Sequence, residues 1–474
     1  MNGPDGVARR ADDAMHAVVT PAEMNAIDAA ADTRVDVLIE RAGWAVARSA
    51  RALLGGTYGR RVMVVAGPGN NGADGMVAAR ILSGWGVKTR VVRVDRNTPP
   101  PNTFEACDLV IDAAYGTGFR GVFVAPDCGL VPVLAVDIPS GVDGLTGSVS
   151  ETSRPFICTH TCTFAALKPG LLFGAGPSYA GTVEVADIGL RTPSEVHLLD
   201  IEEVKGRVPQ RARSAHKWSA AMLVVGGSIG MTGAPSLTAR AAMRAGAGMV
   251  RLLIPGDPHP GAGPFGSEIV GVAISESKWE HAALVALQKC GALVVGPGLG
   301  REPATLASAA ALIESTNTVP MVIDADALVA VAGRRFGERA GHAGVVLTPH
   351  DGEFRSLTGS SVTNDRIESC RTLARSANAV VLLKGPTTVI ADPNGRVELV
   401  ANGDSRLATA GSGDVLSGII GALMSQGLPA FEAASTGAFV HGGAASLGNR
   451  LGFVASDIIE NLPAWLDRAT SSTH

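Results

Sequence analysis

Short apolar runs alternate with longer amphipathic stretches along most of the 474-residue chain. Residues 62–65 and 133–136, "VMVV" and "VLAV", show almost no polar alternation, which is typical of parallel strands buried on both faces. "TPAEMNAIDAAA" predicts a helix with Thr20 as its N-cap and Pro21 at its first position, and a second helix is predicted over residues 36–54. The whole pattern predicts an α/β fold built on doubly wound sheets.

The alternation of strands and helices is interrupted once, between residues 202 and 214. This stretch, "EEVKGRVPQRARS", is polar and basic, contains Pro209 and has little apolar periodicity. Alternation resumes with "AMLVVGG" and continues towards the C-terminus. Because the chain is also too long for one core, we predict a flexible tail (1–18) and two α/β domains, over residues 19–205 and 206–474.

Composition and charge narrow the class of partner. With 40 basic and 44 acidic residues, the net charge is −4, so the chain does not have the excess of positive charge that is typical of proteins that bind nucleic acid or an anionic membrane. Six cysteines are sparse for this length and favour a reducing compartment, so we expect a cytoplasmic protein. The polar N-terminal residues do not have the pattern of a signal peptide. Small molecules are the expected partners, and a homo-oligomer is expected because such assemblies are common.

The stretch "AGPGNNGADG" directly follows the first predicted strand. Its glycines allow backbone N–H groups to face an anion, and a helix predicted to begin near Gly75 would add the positive end of its dipole. Asn70, Asn71 and Asp74 add amide and carboxylate groups that a merely structural turn does not need. The pattern indicates a phosphate site. The glycines concerned are Gly67, Gly69 and Gly72.

Two further strand ends carry polar side chains. Asp112 ends one apolar run and precedes "GTG", and Asp137 ends the next and precedes "IPSGVDG", which contains Ser140. Ligands bind at the carboxyl ends of strands in open parallel sheets, so these groups should converge on one crevice. Oxygen atoms of Asn71, Asp112 and Ser140 would suit a hard cation beside a pyrophosphate. A helix-capping serine and turn-stabilising aspartates are the alternative interpretation.

"GPGNNGADG", "IDAAYGTG" and "DIPSGVDG", in this order, resemble the NAD(P)H-hydrate epimerase family over about residues 22–189. The resemblance implies a Rossmann-like domain that holds the hydrated dinucleotide and a potassium ion bound by Asn71, Asp112 and Ser140. Ala73 stands where the family usually has glycine, and Asp187 is a further candidate acid or base. The implied dinucleotide contacts are Asn70, Asn71, Gly72, Ala73, Asp74, Gly116, Thr117, Gly118, Phe119, Arg120, Gly121, Val122 and Asp137.

In the second half, "ATAGSGDVLSG" leads into a helix with apolar positions at a 3.6-residue period. Gly411 and Gly413 at the helix start would form an anion hole, and Asp414 at its mouth could accept the proton of a hydroxyl during phosphoryl transfer. The alternative is that Asp414 occupies a first helical turn only because it favours the helix dipole. Glycine on both sides of Ser412 favours the functional interpretation.

This motif resembles the ribokinase-like superfamily. With "GSIGMTGAP", "GPGLG", "VIDADAL", "LTPHDGEF" and "LKGPTT", residues 214–467 resemble the ADP- or ATP-dependent NAD(P)H-hydrate dehydratases. One departure is Trp218, where the family tends to have a small residue. The resemblance implies binding of ADP (or ATP) with Mg²⁺. The implied contacts to the hydrated nucleotide are Ala234, Gly298, His350 and Asp414, and those to the adenine nucleotide are Lys384, Gly385, Pro386, Thr387, Thr388 and Gly413.

The expected fold class is therefore α/β, with an N-terminal Rossmann-like doubly wound sheet followed by a C-terminal ribokinase-like α/β domain. Hydration of the nicotinamide ring places a hydroxyl at C6 in R and S forms. The resemblance implies that the first domain interconverts them and that the second uses ADP (or ATP) to expel the hydroxyl from the S form. The alternative is a small-molecule kinase of the ribokinase-like superfamily with a non-catalytic N-terminal dinucleotide-binding module.

Overall fold

The computed structural model describes residues 17–257, 259, 268–337 and 344–470. Residues 1–16 of the predicted tail lie outside the described residues, whereas Ala17 and Val18 are buried and form isolated β-bridges with His197 and Leu167. The chain divides into two compact units, Met1–His197 and Leu198–His474. Residues 202–214, at which the sequence predicts the domain boundary, fall within the second unit.

The first unit contains a six-stranded parallel sheet with strand order β2-β1-β3-β4-β5-β6. Because β1 has β2 on one side and β3 on the other, the winding reverses at β1, where such folds bind ligands. The strands are β1 Arg61–Ala66, β2 Lys88–Arg93, β3 Leu109–Ala113, β4 Val133–Val136, β5 His160–Phe164 and β6 Thr182–Ala186, and the helices are α1 Pro21–Ala30, α2 Val35–Leu54, α3 Asn70–Gly84 and α4 Gly176–Ala180.

Local signals at the start of α1 are confirmed. Thr20 Oγ1 accepts a hydrogen bond from Glu23 N at 3.2 Å, and the Glu23 carboxylate accepts one from Thr20 N at 2.7 Å. This capping box, with Pro21 at the first helical position, fixes where the helix begins. The predicted helix over 36–54 is confirmed as α2, which packs against α3.

The start of α3 differs from the prediction. The helix begins at Asn70, five residues before Gly75, so the prediction of a loop up to Gly75 is wrong. The physical reason is packing. A Cβ on Gly72 would lie 1.9 Å from the Gly67 carbonyl oxygen, and one on Gly75 would lie 2.4 Å from Ala113 Cβ. These glycines let the helix approach the strand ends, which outweighs their low helix propensity.

The second unit contains a ten-stranded sheet with strand order β10-β9-β8-β11-β12-β13-β14-β15-β16-β7. Neighbours from β10 to β14 in this order are parallel, whereas β15 pairs antiparallel with β14 and β16. The strands are β7 Val196–Leu198, β8 Ala221–Val225, β9 Met249–Pro255, β10 Ile269–Ile274, β11 Ala292–Val295, β12 Met321–Ile323, β13 Val345–Leu347, β14 Val380–Leu383, β15 Thr388–Ala391 and β16 Val397–Val400.

Helices cover this second sheet. Among them, α11 is buried from Val415 to its end and packs against α6, α12 and β11, so the anion hole predicted at its start is attached to the core of the unit. Among the described residues, no helix combines the length and apolar character needed to cross a membrane. The helices are α5 Ile201–Arg207, α6 Gly233–Arg244, α7 Glu280–Leu287, α8 Pro303–Ser315, α9 Asp351–Thr358, α10 Arg366–Ala377, α11 Ser412–Ser425, α12 Ala430–Ser446 and α13 Ala455–Thr470.

Candidate active sites

A cavity of about 780 Å³ lies in the first unit at the carboxyl ends of its strands. Its walls come from the helices α1, α2 and α3, from the end of β5, and from the loops that follow β1 to β6. Four predicted dinucleotide contacts, Gly72, Ala73, Gly121 and Val122, are not among the described residues that line it. The predicted contacts that do line it are Asn70, Asn71, Asp74, Gly116, Thr117, Gly118, Phe119, Arg120 and Asp137.

The turn between β1 and α3 presents backbone to this cavity. A Cβ on Gly67 would lie 1.8 Å from the Ala114 carbonyl oxygen, so the turn packs directly against the loop that follows β3. Gly69, the N-cap of α3, makes no side-chain capping hydrogen bond, and Gly69, Asn70 and Asn71 line the cavity. The N–H groups of the first helical turn are therefore available to an anion.

A buried ion pair lies on the wall formed by the loops after β4 and β5. Lys168 is 1% exposed, and its Nζ lies 2.6 Å from Asp137 Oδ1. It also donates hydrogen bonds of 2.9 Å to Thr163 Oγ1 and the Phe164 carbonyl oxygen. Asp137 adopts φ 67°, a left-handed conformation that a non-glycine residue rarely takes. Lys168 is not among the predicted site residues, although a lysine within the apolar "TFAALKPG" is a usable signal.

Two more carboxyl groups face the same cavity. Burial, reinforced by repulsion from Asp137, raises the pKa of Asp74 to about 8. Burial also raises the pKa of Asp28, although Lys168 opposes that shift. At neutral pH Asp74 therefore retains its proton, while Asp137 faces the Lys168 ammonium. Asp74 and Asp137 lie in such different environments that their carboxyl groups are suited to opposite roles in proton transfer.

Two of the three predicted potassium ligands are in direct contact. The buried Asp112 accepts hydrogen bonds from Ser140 Oγ at 2.6 Å and from Ser140 N at 2.8 Å. Burial raises the pKa of Asp112 to about 6 despite these bonds. Asn71 lies beside Gly116, at which a Cβ would be 3.8 Å from Asn71 Oδ1, and the buried Nδ2 of Asn71 has no hydrogen-bond partner among the described residues.

The additional candidate Asp187 does not line the cavity. It is exposed, and its carboxylate accepts a 2.6 Å hydrogen bond from Gly189 N. This hydrogen bond stabilises the turn after β6 and explains why an aspartate stands there. Asp187 therefore has no contact that supports a role as the acid or base of the first site.

The second site forms at the carboxyl ends of the adjacent parallel strands β8, β11, β12, β13 and β14. Ala234, in the first turn of α6, lies beside Gly298, where a Cβ would be 3.1 Å from Ala234 Cβ. Gly413, at the start of α11, lies beside Lys384, whose Nζ would be 3.3 Å from a Cβ on that glycine. The tertiary structure thus brings together predicted contacts that are far apart in sequence.

Lys384 lies in a network of buried charges that the sequence analysis did not identify. Its Nζ is 2.9 Å from Asp324 Oδ1 and 3.7 Å from Glu353 Oε2. Asp324 also accepts a 2.7 Å hydrogen bond from Ser417 Oγ on α11. Burial alone would raise the pKa of Asp324, but Lys384 and Ser417 bring it below its ordinary value. The signal for Asp324 was an aspartate directly after the buried strand in "VIDADAL".

Asp414 lies in the first turn of α11, at the mouth of the predicted anion hole. Its N-cap, Gly411, has φ 88° and has no side chain to cap the helix. Ser412 N donates a 3.3 Å hydrogen bond to the Thr409 carbonyl oxygen, so the N–H groups of Gly413 and Asp414 are those of the first turn that can face an anion. Burial raises the pKa of Asp414 to about 7, with repulsion from Asp324 adding to the shift and Lys384 opposing it. Asp414 is therefore poised between its two protonation states at neutral pH.

His350 and the loop 384–388 flank this network. His350 caps α9 through Nδ1, which accepts hydrogen bonds from Gly352 N at 3.0 Å and Glu353 N at 3.3 Å. Its ring remains 59% exposed, so Nε2 can still reach a ligand. The loop is held by Arg366, which donates a 2.9 Å hydrogen bond to the Lys384 carbonyl oxygen.

Comparisons with known proteins cover both units. A family model described as NAD(P)H-hydrate dehydratase matches residues 222–462, and one described as the YjeF-related protein N-terminus matches residues 35–104 and 93–170. The bifunctional NAD(P)H-hydrate repair enzyme Nnr of Moorella thermoacetica is 35% identical over 94% of this chain and 96% of its own length. The Escherichia coli K12 enzyme of the same name is 32% identical over 85% of this chain and 84% of its own length.

A solved structure matches the second unit. The ADP/ATP-dependent NAD(P)H-hydrate dehydratase of Bacillus subtilis, co-crystallized with ATP/Mg²⁺, is 29% identical with a TM-score of 0.51. The match covers 57% of this chain and 98% of that protein. The ribokinase-like fold expected for the C-terminal domain is confirmed, as is the overall α/β class.

Proposed function

Because this chain belongs to the family of bifunctional NAD(P)H-hydrate repair enzymes, we propose a role for each group of charged residues at its two sites. The chain repairs hydrated nicotinamide nucleotides by epimerising the R and S hydrates and dehydrating the S form to NAD(P)H. We assign epimerisation to residues 19–205 and dehydration to residues 206–474. The small-molecule kinase is not favoured, because relatives named as repair enzymes align with most of both domains.

The hydrated dinucleotide occupies the cavity of the first unit. Its pyrophosphate lies at the uncapped start of α3, and the residues 116–122 and Asp137 complete the contacts carried over from the family. The observation that carries this assignment is the Asp137–Lys168 ion pair on the wall of one cavity with the buried Asp74, whose pKa burial raises to about 8. A cavity that only recognised a dinucleotide would not need a buried proton donor.

Epimerisation inverts the configuration of C6, a carbon that bears the hydroxyl and is bonded to the ring nitrogen, and here it requires proton transfer in both directions at that oxygen and that nitrogen. Asp137 accepts the hydroxyl proton while Asp74 gives its proton to the ring nitrogen, so the carbon–nitrogen bond breaks and C6 becomes an aldehyde. Rotation exposes the other face of the aldehyde. Closure returns both protons and gives the opposite epimer without consuming water or nucleotide. Lys168 holds the Asp137 carboxylate in position.

The residues of the first site also fit a potassium ion. Carboxylate, hydroxyl and amide oxygens are the ligands a hard cation takes, and Asp112, Ser140 and Asn71 offer one of each. The oxygen and the nitrogen of an asparagine side-chain amide have nearly the same shape and can exchange places. The position of Asn71 Nδ2, which has no partner among the described residues, can therefore hold the amide oxygen and present it to the ion. The residues that would hold the ion are Asn71, Asp112 and Ser140. A bound ion would supply positive charge next to the dinucleotide phosphates.

We expect Asp112→Asn to weaken the apparent potassium affinity of epimerisation by about tenfold or more, because it removes the one formal negative charge of this ligand set. Epimerisation rates measured across a series of potassium chloride concentrations, with choline chloride keeping ionic strength constant, test this. Asp127→Asn, an exposed aspartate in the same unit, is the matched control. Equal potassium responses in wild type and Asp112→Asn would refute the assignment.

In the second site, the amides at the start of α11 hold the phosphoryl group of the nucleotide while Asp414 accepts the proton of the C6 hydroxyl. The β-phosphoryl of ADP is transferred to that oxygen, giving AMP. The lone pair of the ring nitrogen then expels phosphate, and the resulting iminium loses a proton from C5, which restores the C5–C6 double bond of NAD(P)H. Lys384, Gly413 and the loop 384–388 contact the nucleotide, and Ala234, Gly298 and His350 contact the hydrated ring nucleotide.

The donor at this site is ADP, with ATP as an alternative, and Mg²⁺ accompanies it. The carboxylates of Glu353 and Asp414 lie next to Lys384 and are oxygen donors of the kind that Mg²⁺ takes together with substrate phosphates. When bound, Mg²⁺ neutralises charge on the phosphates.

We also propose that the protein forms a homo-oligomer and that it is located in the cytoplasm.

The dehydration rate should increase with pH and reach half its maximum near pH 7. Asp414 acts as a base and must be deprotonated, and its pKa is raised to about 7, so activity is lost as pH falls through that value. Initial rates with the S hydrate and saturating ADP between about pH 5.5 and 8.5 test this, because this range extends about 1.5 pH units on each side of the pKa. A rate that does not depend on pH across this range would argue against Asp414 as the base.

The overall function is tested with a mixture of R and S hydrates. Full return of dihydronicotinamide absorbance with ADP or ATP requires both activities, because only the S form is dehydrated. Recovery of the S fraction alone would leave the first unit without an enzymatic role. Comparing the two nucleotides at equal concentration identifies the donor.

A further inference from the structure

One cationic side chain of the first cavity has no partner there. Lys168 is paired with Asp137, and Arg120 donates hydrogen bonds to the carbonyl oxygens of Thr117 and Phe119. Arg96 lines the same cavity and is exposed, yet its guanidinium has no hydrogen bond or ion pair with any residue that the structure describes. Its charge is available to a ligand.

The loop that carries Arg96 follows β2 directly and is held in one conformation. Asp95 Oδ1 accepts 2.8 Å hydrogen bonds from the backbone N–H groups of Asn97 and Thr98. Asp95 N also donates a 3.0 Å hydrogen bond to the Thr98 carbonyl oxygen, and Val94 N donates one of 2.9 Å to that of Ala66 on β1. This turn keeps Arg96 on the wall of the cavity that the start of α3 also lines.

The order of the strands determines which part of a dinucleotide reaches this loop. The start of α3 follows β1, whereas Asp137 and Lys168 follow β4 and β5, two and three strands to one side. β2 is the neighbour of β1 on the other side, and adjacent strands lie about 4.8 Å apart. With the pyrophosphate at α3 and the hydrated ring beside Asp137, the adenosine ribose extends towards β2.

We propose that Arg96 forms a subsite for the 2′-phosphate of the adenosine ribose, so that the epimerase site binds the hydrate of NADPH through a contact that NADH cannot make. This inference rests on the proposed function of the first cavity. A guanidinium pairs well with a phosphomonoester, which carries up to two negative charges. An Arg near the second strand is one of the ways in which dinucleotide folds accommodate this phosphate.

Asp95 is the residue that opposes this inference. A carboxylate after the second strand can accept a hydrogen bond from a ribose 2′-hydroxyl and would repel a phosphate. In this protein, however, Asp95 Oδ1 is occupied by two backbone N–H groups of its own turn. These hydrogen bonds lower the pKa of Asp95 because they stabilise its charge inside the turn. Asp95 therefore stays ionised and is held by its own turn, whereas Arg96 is the charged side chain of this loop that has no hydrogen bond or ion pair among the described residues.

The test compares epimerisation of the R hydrates of NADPH and NADH by Arg96→Gln, with no added nucleotide so that dehydration does not consume the product. The epimers are separated by chromatography. We expect kcat/KM for the NADPH hydrate to fall about tenfold, the loss of one charge-assisted contact, and that for the NADH hydrate to be unchanged. Arg93→Gln, an exposed arginine on β2 that does not line the cavity, should alter neither value.

Equal losses with both hydrates, or no loss with either, would overturn the subsite while leaving epimerisation itself intact. If wild-type protein epimerised neither hydrate, the proposed function of the cavity would be wrong and the subsite would fail with it. The two failures are therefore distinguishable in one set of measurements.

Discussion

Asp414→Asn should lower the rate of ADP-dependent dehydration by about 10²–10⁴-fold, the usual contribution of a general base. Asparagine has nearly the same shape as aspartate, and the 3.0 Å hydrogen bond from Thr238 Oγ1 is to the Asp414 backbone carbonyl, so it is retained. The substitution removes a group that can take the hydroxyl proton and leaves the start of α11 in place. The measurement is the initial rate with the S hydrate and saturating ADP.

Asp457→Asn is the matched control for this variant, because Asp457 also lies in the first turn of a helix, α13, in the same unit. If acidic residues at these positions served only the helix dipole, the two substitutions would have similar, small effects. Epimerisation by the Asp414→Asn protein should equal that of wild type, because that activity is assigned to the first unit. Dehydration at the wild-type rate would exclude Asp414 as the base.

Asp74→Asn is expected to lower the epimerisation rate by about 10²–10⁴-fold, since it replaces the proton donor by a group that cannot give up a proton. Asp74 is buried with a pKa of about 8, so it is neutral at pH 7 and a neutral amide preserves the charge of the cavity. The loss should therefore appear in kcat with little change in KM. The measurement is the exchange of purified R hydrate into S hydrate without nucleotide.

The pH dependence gives a second, independent readout for Asp74. A proton donor is active while protonated, so wild-type epimerisation should decrease as pH rises through about 8, the opposite direction from dehydration. Asp187→Asn is the control, because Asp187 is exposed and does not line the cavity. Retention of both the rate and the high-pH decrease in Asp74→Asn would remove Asp74 from the mechanism.

Much of the fold was predictable because its signals are local. The capping box of Thr20 and Glu23 spans four residues, and the apolar runs of β1 and β4 each identify a buried strand without reference to the rest of the chain. The start of α3 was not predictable in this way. Its early glycines predict a loop by propensity, and only their close approach to Gly67 and Ala113 explains why the helix begins at Asn70.

The sequence by itself determined the alternation of strands and helices, the glycine-rich turns and the family to which they belong, because each of these is encoded by neighbouring residues. Only the tertiary structure decided which charges meet. Lys168 reaches Asp137, and Lys384 reaches Asp324, because parallel strands place their carboxyl ends at one edge of a sheet. The raised pKa values of Asp74 and Asp414 have the same origin, since burial depends on residues distant in the chain.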